Sequence, residues 1–282
     1  MREVKDFYKN TPFNYTDDVS FFTKSIKNNN QILEYEDLHK MLRARFNFSG
    51  KNKINSIIEF GCGTGWLSNS LSYYYGKDVL GIDFTEKAIN KAKAVSNDLN
   101  LNSDFKLSNL FEYQSNLKYD LVISLGVLHH TEDCKAAFKH ISKFVKPGGF
   151  LYVGLYHLYG RRPMLRFLKN YARWHGDLSA FNLFKKMRRD IDSDHNNNYS
   201  WFRDQVLHPH ETQHTLMEVN DWLNEISFSL VSTSINKYKT LKNYNLSSLD
   251  KAERELEQIS FNRNIEELIF SPGYFTICAE NK

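Results

Sequence analysis

Between residues 54 and 155 two hydrophobic rhythms alternate along the chain. Short runs at Ile54–Phe60, Asp78–Ile82, Asp104–Leu107, Tyr119–Leu125 and Phe150–Leu155, the first and fourth of them apolar, predict five strands. The stretches between them place apolar residues at helical spacing. They predict helices over Trp66–Tyr75, from Glu86 to about Leu99, and over Cys134–Phe144, where Ala136, Ala137, Ile141 and Phe144 share a face. Strands alternating with helices imply a parallel sheet with right-handed crossovers. Lys146-Pro147-Gly148-Gly149 reads as a turn into the fifth strand, and the Asn-rich patches at 28–30 and 196–198 read as loops.

The flanks differ. Residues 1–50 are polar and aromatic, with helical spacing over Asp37–Phe46. Residues 158–215 break the rhythm and are basic, aromatic and histidine-rich. It resumes with a helix over Met217–Glu225 and strands over Ser227–Asn236 and Gly273–Ala279, separated by a polar, partly helical stretch (Leu249–Ile259). Two strands after the fifth complete a seven-stranded sheet. The expected segments are an N-terminal arm or lid (1–50), a core (51–157), an insert covering a site (158–215) and a completion of the sheet (216–282).

A chain of 282 residues with 41% apolar and 25% charged residues suits one elaborated globular α/β domain. Aromatics at 15% are abundant, and many lie outside the motifs below, so some are expected to line a pocket. Cys62, Cys134 and Cys278 are odd in number and far apart, which points to no disulfide framework and to a cytoplasmic home. Met1–Asn10 is too polar for a signal peptide, and no apolar run approaches the ~20 residues of a membrane span. The net charge of +4 is uneven. Residues 158–190 hold nine Lys or Arg against two Asp, or +7. Such a segment attracts phosphates, carboxylates, RNA or an anionic membrane face, or is simply a solvated helix surface.

Glu59-Phe60-Gly61-Cys62-Gly63-Thr64-Gly65 follows an apolar strand and opens a helix. Glycines there let the backbone turn tightly and approach a ligand. The next strand ends in Gly81-Ile82-Asp83, placing an acid 18 residues after Gly65 where it can accept ribose hydroxyls. A dinucleotide site would space its glycines Gly-x-Gly-x-x-Gly; this chain has Trp66 at the last of those places.

With Tyr-Asp-Leu-Val-Ile-Ser-Leu-Gly-Val-Leu-His-His (119–130) and Val-Lys-Pro-Gly-Gly-Phe-Leu (145–151), these motifs stand in order and well spaced. Over roughly residues 45–156 the chain resembles the class I S-adenosylmethionine (SAM)-dependent methyltransferases, especially the group around the ubiquinone and menaquinone C-methyltransferases. The resemblance implies a Rossmann-like α/β fold. Its seven-stranded sheet would have order 3-2-1-4-5-7-6, strand 7 antiparallel and helices on both faces. It also implies SAM as cofactor and S-adenosylhomocysteine as product. Gly61, Gly63 and Gly65 would cradle the methionine part, Glu59 would anchor that end, and Asp83 would hold the ribose. Phe84 would pack on the adenine. Asn109 and Leu110 would meet its edge, where the family often has an acid. Ser124 and Leu125 would offer backbone groups to the amine.

Methyl transfer is an in-line displacement that needs the nucleophile about 3–3.5 Å from the methyl, so the class has no universal catalytic residue. Beyond the ends of strands 4 and 5 stand His129, His130, Tyr156, His157 and Tyr159. Either of the first two is a base, an acceptor-binding group or a loop cap; Tyr156 and His157 are weighed alike. Arg161 and Arg162 would grip an anionic acceptor or lie solvated. The arm's Phe7, Tyr8, Phe13 and Tyr15 form a lid or pack ordinarily. His210-Glu211-Thr212-Gln213-His214 matches the zinc-protease helix, but Met217 and Asn220 stand where the longer motif needs Gly and His. With His208 these histidines form a metal site or, with Trp201 and Arg203, an acceptor-pocket wall. The predicted activity is methyl transfer to a small molecule. The alternatives are RNA modification, disfavoured by the low net charge and by Ser124–Val127 in place of Asn-Pro-Pro-Tyr, and non-catalytic SAM binding.

Overall fold

The structure, a computed structural model, describes residues 2–9, 12, 13, 15–43, 54–189, 195–239, 241 and 246–282. One sheet organises it. Its strands are β1 (Ser56–Phe60), β2 (Asp78–Asp83), β3 (Ser103–Leu107), β4 (Tyr119–Leu125), β5 (Val145–Tyr156), β6 (Phe228–Thr233) and β7 (Tyr274–Asn281). Their order is β3-β2-β1-β4-β5-β7-β6, with β7 antiparallel to both neighbours, as the family resemblance implied. Both faces of the central strands β1 and β4 are covered, which is why those two read as apolar runs, whereas the edge strand β3 does not. Ile58, Phe60, Val122 and Leu151 point to one core, and Ile57, Leu121, Ile123 and Phe150 to the other.

The helices are α1 (Arg2–Lys9), α2 (Val19–Asn28), α3 (Glu36–Arg43), α4 (Trp66–Tyr75), α5 (Glu86–Leu99), α6 (Cys134–Ser142), α7 (Leu158–His175), α8 (Asp177–Met187), α9 (His195–Val206), α10 (Leu216–Glu225) and α11 (Leu246–Phe261). Helices α4 and α5 have the predicted bounds. The helix expected over Asp37–Phe46 is α3; residues 44–46 lie outside the described ones. Among the described residues no helix is long and apolar enough to cross a membrane.

Four local readings need correction. Lys146–Gly149 is not a turn ahead of β5 but a bulge inside it. The register jumps from Tyr119↔Val145 to Leu121↔Phe150, and a Cβ on Gly149 would lie 3.0 Å from the Asp120 carbonyl. The buried face of α6 is Cys134, Ala137, Phe138 and Ile141; Ala136 is exposed. The run 196–198 opens α9 rather than a loop. Strand β6 ends at Thr233, where a 3-10 turn takes over.

Residues 158–215 hold α7, α8 and α9, which share a core of their own around Met164, Leu168, Phe181, Phe184 and Phe202. After α9, residues 208–214 run extended. His214 N–H donates to the Tyr156 carbonyl (2.9 Å), Leu158 N–H to the His214 carbonyl (2.9 Å) and Thr212 N–H to the His129 carbonyl (2.8 Å). Those pairings replace the i→i+4 bonds of a helix. The zinc-protease pattern therefore does not form its helix; α10 starts only at Leu216, capped by the Thr215 hydroxyl.

Candidate active site

The first half of the site is built by the glycine turn between β1 and α4. Gly61 and Cys62 both donate to the Ile82 carbonyl (2.7 and 3.0 Å), which pins the turn against β2. Gly61 and Gly65 take positive φ in crowded places: an added Cβ would fall 2.3 Å from Val127 Cγ2 or 2.6 Å from Ala92 Cβ. Gly63 differs, since a Cβ there would meet nothing within 4 Å. Its N–H donates to Asp83 Oδ2 (2.9 Å), while Thr85 N–H holds Oδ1 (2.8 Å). Burial raises the Asp83 pKa despite these donors. Glu59 accepts from the Ser68 hydroxyl at 2.5 Å, and burial pushes its carboxyl up to about 7. A buried acid bonded to backbone amides beside an open glycine suits a ribose and a cationic ligand. Phe84 is half-buried next to it. Ser124 turns its hydroxyl to the Phe60 carbonyl (3.0 Å), leaving only backbone for a ligand. Asn109 Oδ1 caps Phe111 N–H (3.0 Å), and Leu110 is half-buried beside it.

The second half lies past β4 and β5. His129 and His130 sit in a 3-10 turn (Leu128–His130) with ring centroids 4.3 Å apart. His208 stacks on His130 at 3.8 Å, and Tyr156 on His129 at 3.9 Å. The extended segment staples this turn in place: His130 Nδ1 bonds the His210 carbonyl (2.9 Å), and His210 Nε2 bonds the Thr131 carbonyl (2.9 Å). Burial drives the imidazole pKa of His129 well below its ordinary value, that of His130 to about 4 and that of His208 to about 3. All three are neutral at pH 7.

The two halves meet under α1. Tyr8 donates its hydroxyl to Asp204, and its ring lies 6.4 Å from Phe84 and 5.6 Å from His208. Arg203 holds the helix by an N–H to the Phe7 carbonyl (3.1 Å) and by its guanidinium over the Phe7 ring (4.2 Å). Beneath, the Tyr156 hydroxyl bonds Gln205 (2.8 Å) and Asp204 (3.4 Å). Asp204 and Gln205 belong to the run Trp201–Gln205, whose mix of aromatic and polar side chains is what a pocket for a small polar molecule needs.

Several expected site residues serve the fold instead. Arg161 is fully buried, and its N–H groups go to Glu211, Gln205 and the Pro272 carbonyl in five bonds, leaving none for an anionic acceptor. Arg162 pairs bidentately with Glu257. His157 is the N-cap of α7 through Gly160 N–H (3.1 Å), and its Nε2 meets buried Glu253 at 2.7 Å. Tyr159 lies beside Arg162 and Arg254. Tyr15 stacks under Lys87 (4.1 Å), and Trp201 lies against Phe13 (4.7 Å). His214 is held by Thr212 (2.8 Å) and Glu218 (3.0 Å). His208, His210 and His214 thus point to separate partners, and among the described residues no group of three His, Cys, Asp or Glu is placed to hold a metal.

Residues 51–222 match the family described as "Methyltransferase domain". The chain is 30% identical over 109 residues to the mitochondrial ubiquinone biosynthesis O-methyltransferase of Dictyostelium discoideum, covering 35% of this chain and 34% of that one. It is 29% identical over 124 residues to the ubiquinone biosynthesis O-methyltransferase of Rickettsia bellii, covering 41% and 51%. The matches span about a third to a half of these relatives' length. Among solved structures, magnesium protoporphyrin IX methyltransferase from Synechocystis, with bound SAM, aligns at TM-score 0.54 and 17% identity over 99% of this chain and 95% of that one. PKMT2 from Rickettsia typhi aligns at TM-score 0.57 and 14% identity over 81% and 49%. At such identities the likeness is one of fold.

Proposed function

The chain belongs to the methyltransferase-domain family, and from that premise we propose that it transfers the methyl group of SAM to a small molecule enclosed between Asp83 and the imidazoles of His129, His130 and His208. The observation that carries this reading is the position of Tyr8. One side chain reaches Phe84 on the cofactor side and Asp204 on the acceptor side, so both halves share one cover.

In this reading only α1 of the N-terminal arm supplies the lid, since α2 and α3 pack into the core, and residues 158–189 and 195–215 supply the wall on the acceptor side. Gly63 gives the methionine part room, Glu59 anchors that end, Asp83 takes the ribose and Phe84 the adenine. The cofactor supplies an electrophilic methyl. The protein's part is to align the acceptor, exclude water and take up a proton where the acceptor carries one. Buried aromatic rings with a few polar groups among them suit a small molecule better than a folded RNA. The pairing of Arg161 and Arg162 with Glu211 and Glu257 also removes two cations from any RNA dock. Three buried, unpaired thiols support a reducing, cytoplasmic setting.

Calorimetric titration of SAM into metal-free protein tests the proposal. Micromolar binding, unchanged by zinc, is expected. Absence of binding overturns it.

A further inference from the structure

Three buried ring nitrogens at the His129–His130 turn and on His208 meet no protein partner: Nε2 of His129, of His130 and of His208. Each ring is held at its other nitrogen, and that contact decides where the single proton of a neutral imidazole sits. His130 Nδ1 lies 2.9 Å from the His210 carbonyl, which can only accept. That ring therefore carries its hydrogen on Nδ1 and keeps a lone pair on Nε2. His208 Nδ1 accepts from the His210 N–H (3.1 Å), and His129 Nδ1 accepts from the Tyr156 N–H (3.3 Å). Those two rings carry their hydrogen on Nε2. The Leu128–His130 turn and His208 thus present one lone pair and two N–H donors, with the His208 ring 3.8 Å and the His129 ring, edge-on, 4.3 Å from that of His130.

We propose that Nε2 of His130 takes the proton from a neutral hydroxyl group of the methyl acceptor, while the one lone pair of that oxygen not attacking the methyl accepts from Nε2–H of His208. The inference rests on the methyltransferase reading above and assigns its acceptor class and its base. Oxygen is favoured by counting lone pairs. A neutral amine has one, which must attack the methyl and leaves nothing for an N–H donor. A hydroxyl oxygen has two and a proton to give. A neutral acceptor is favoured by charge. The buried guanidinium at Arg161 is saturated, and the other charged groups against these rings are the carboxylates of Glu211 and Asp204.

The step balances. The oxygen–carbon bond forms as the carbon–sulfur bond breaks, the electron pair stays on sulfur, and the hydroxyl proton passes to His130. The positive charge lost from the sulfonium reappears as imidazolium beside Glu211, so the enclosure keeps its net charge. Burial and Arg161 oppose that imidazolium at rest, which keeps the ring free to accept.

Long-range 1H–15N NMR of histidine-labelled protein at neutral pH reads the tautomers directly. Hydrogen on Nδ1 of His130 and on Nε2 of His129 and His208 is expected; hydrogen on Nε2 of His130 overturns the assignment. His130→Asn keeps an N–H facing the His210 carbonyl and has nothing at the Nε2 position. His130→Gln places a non-basic amide there. Both should bind SAM within about twofold of the parent. Both should lose at least about 100-fold of the transfer of labelled methyl from SAM into an aqueous metabolite extract. Full transfer by His130→Asn overturns the base. Failure of the parent protein to bind SAM would strike the methyltransferase reading and leave the tautomers as measured.

Discussion

The guanidinium carbon of Arg161 sits 3.5 Å from the centroid of the Tyr156 ring, and the same group forms a bidentate pair with buried Glu211. Arg161 thereby ties the end of β5 and the start of α7 to the extended segment that holds His208 and His210. A residue that reads as an anion grip is the keystone under the imidazoles.

Arg161→Met should therefore destabilise the whole domain by about 3–5 kcal/mol, because Glu211 would be left buried and uncompensated. Chemical denaturation measures this. A loss under about 1 kcal/mol would show that Glu211 is solvated in solution and that the pair holds nothing together.

Asp83 makes the opposite case. Its carboxylate is buried at 8% exposure, and burial raises its pKa, so the ionised form opposes folding in the empty protein at neutral pH. The sign follows: a raised acid pKa removes stability as pH rises above the unfolded value. Asp83→Asn should leave melting of the ligand-free protein unchanged or slightly higher. The same change should weaken SAM by roughly 1–3 kcal/mol, about 5- to 150-fold. Unaltered SAM affinity would remove Asp83 from the ribose.

How much of this was legible beforehand follows from the range of the contacts involved. The glycine turn, Asp83 and the strands depend on local backbone chemistry and on short-period apolar patterns, and the sheet order follows from the resemblance they carry. The acceptor side depends on pairings across long stretches of chain: Tyr8 with Asp204, Arg161 with Glu211, His157 with Glu253. No periodicity records such pairs. Hence His157, Arg161 and Arg162 looked like ligand-binding groups when Glu253, Glu211 and Glu257 already meet them within the chain. The His-Glu-x-x-His pattern misled for a related reason, since backbone bonds to His129 and Tyr156 hold it extended.

Tyr8→Phe isolates the lid. It keeps the ring against Phe84 and His208 but deletes the bond to Asp204, which retains Gln205 (2.9 Å) and Tyr156 as partners. Faster amide hydrogen exchange in residues 2–9 and faster SAM dissociation are expected, with the fold intact. Unchanged exchange there would mean that packing alone holds α1 down.

His157→Ala should separate stability from binding. The substitution removes the N-cap of α7 and strands the Glu253 carboxylate, which also accepts Leu216 N–H at the start of α10. A loss of roughly 3–5 kcal/mol is expected, with SAM affinity kept in whatever fraction stays folded. Full stability with impaired methyl transfer would return His157 to the acceptor site.

The imidazole cluster should weaken the fold in acid. A histidine whose folded pKa is depressed is neutral in the native state while the unfolded chain takes up a proton near pH 6.5. Stability is then complete above about 6.5 and falls as pH drops toward the folded value. For His130, pushed down to about 4, the loss between those limits is roughly 3 kcal/mol at 1.36 kcal/mol per pH unit. His208, at about 3, acts in the same direction. Glu211, held low chiefly by its Arg161 bonds against the opposing effect of burial, adds a further loss only below the ordinary glutamate range of about 4.3. Urea unfolding at pH 8 and pH 5 should therefore show the parent losing stability, and His130→Asn losing measurably less. Equal losses in the two proteins would mean that His130 titrates normally, and so that its ring is not sealed under α1 and the 208–214 segment as the structure has it.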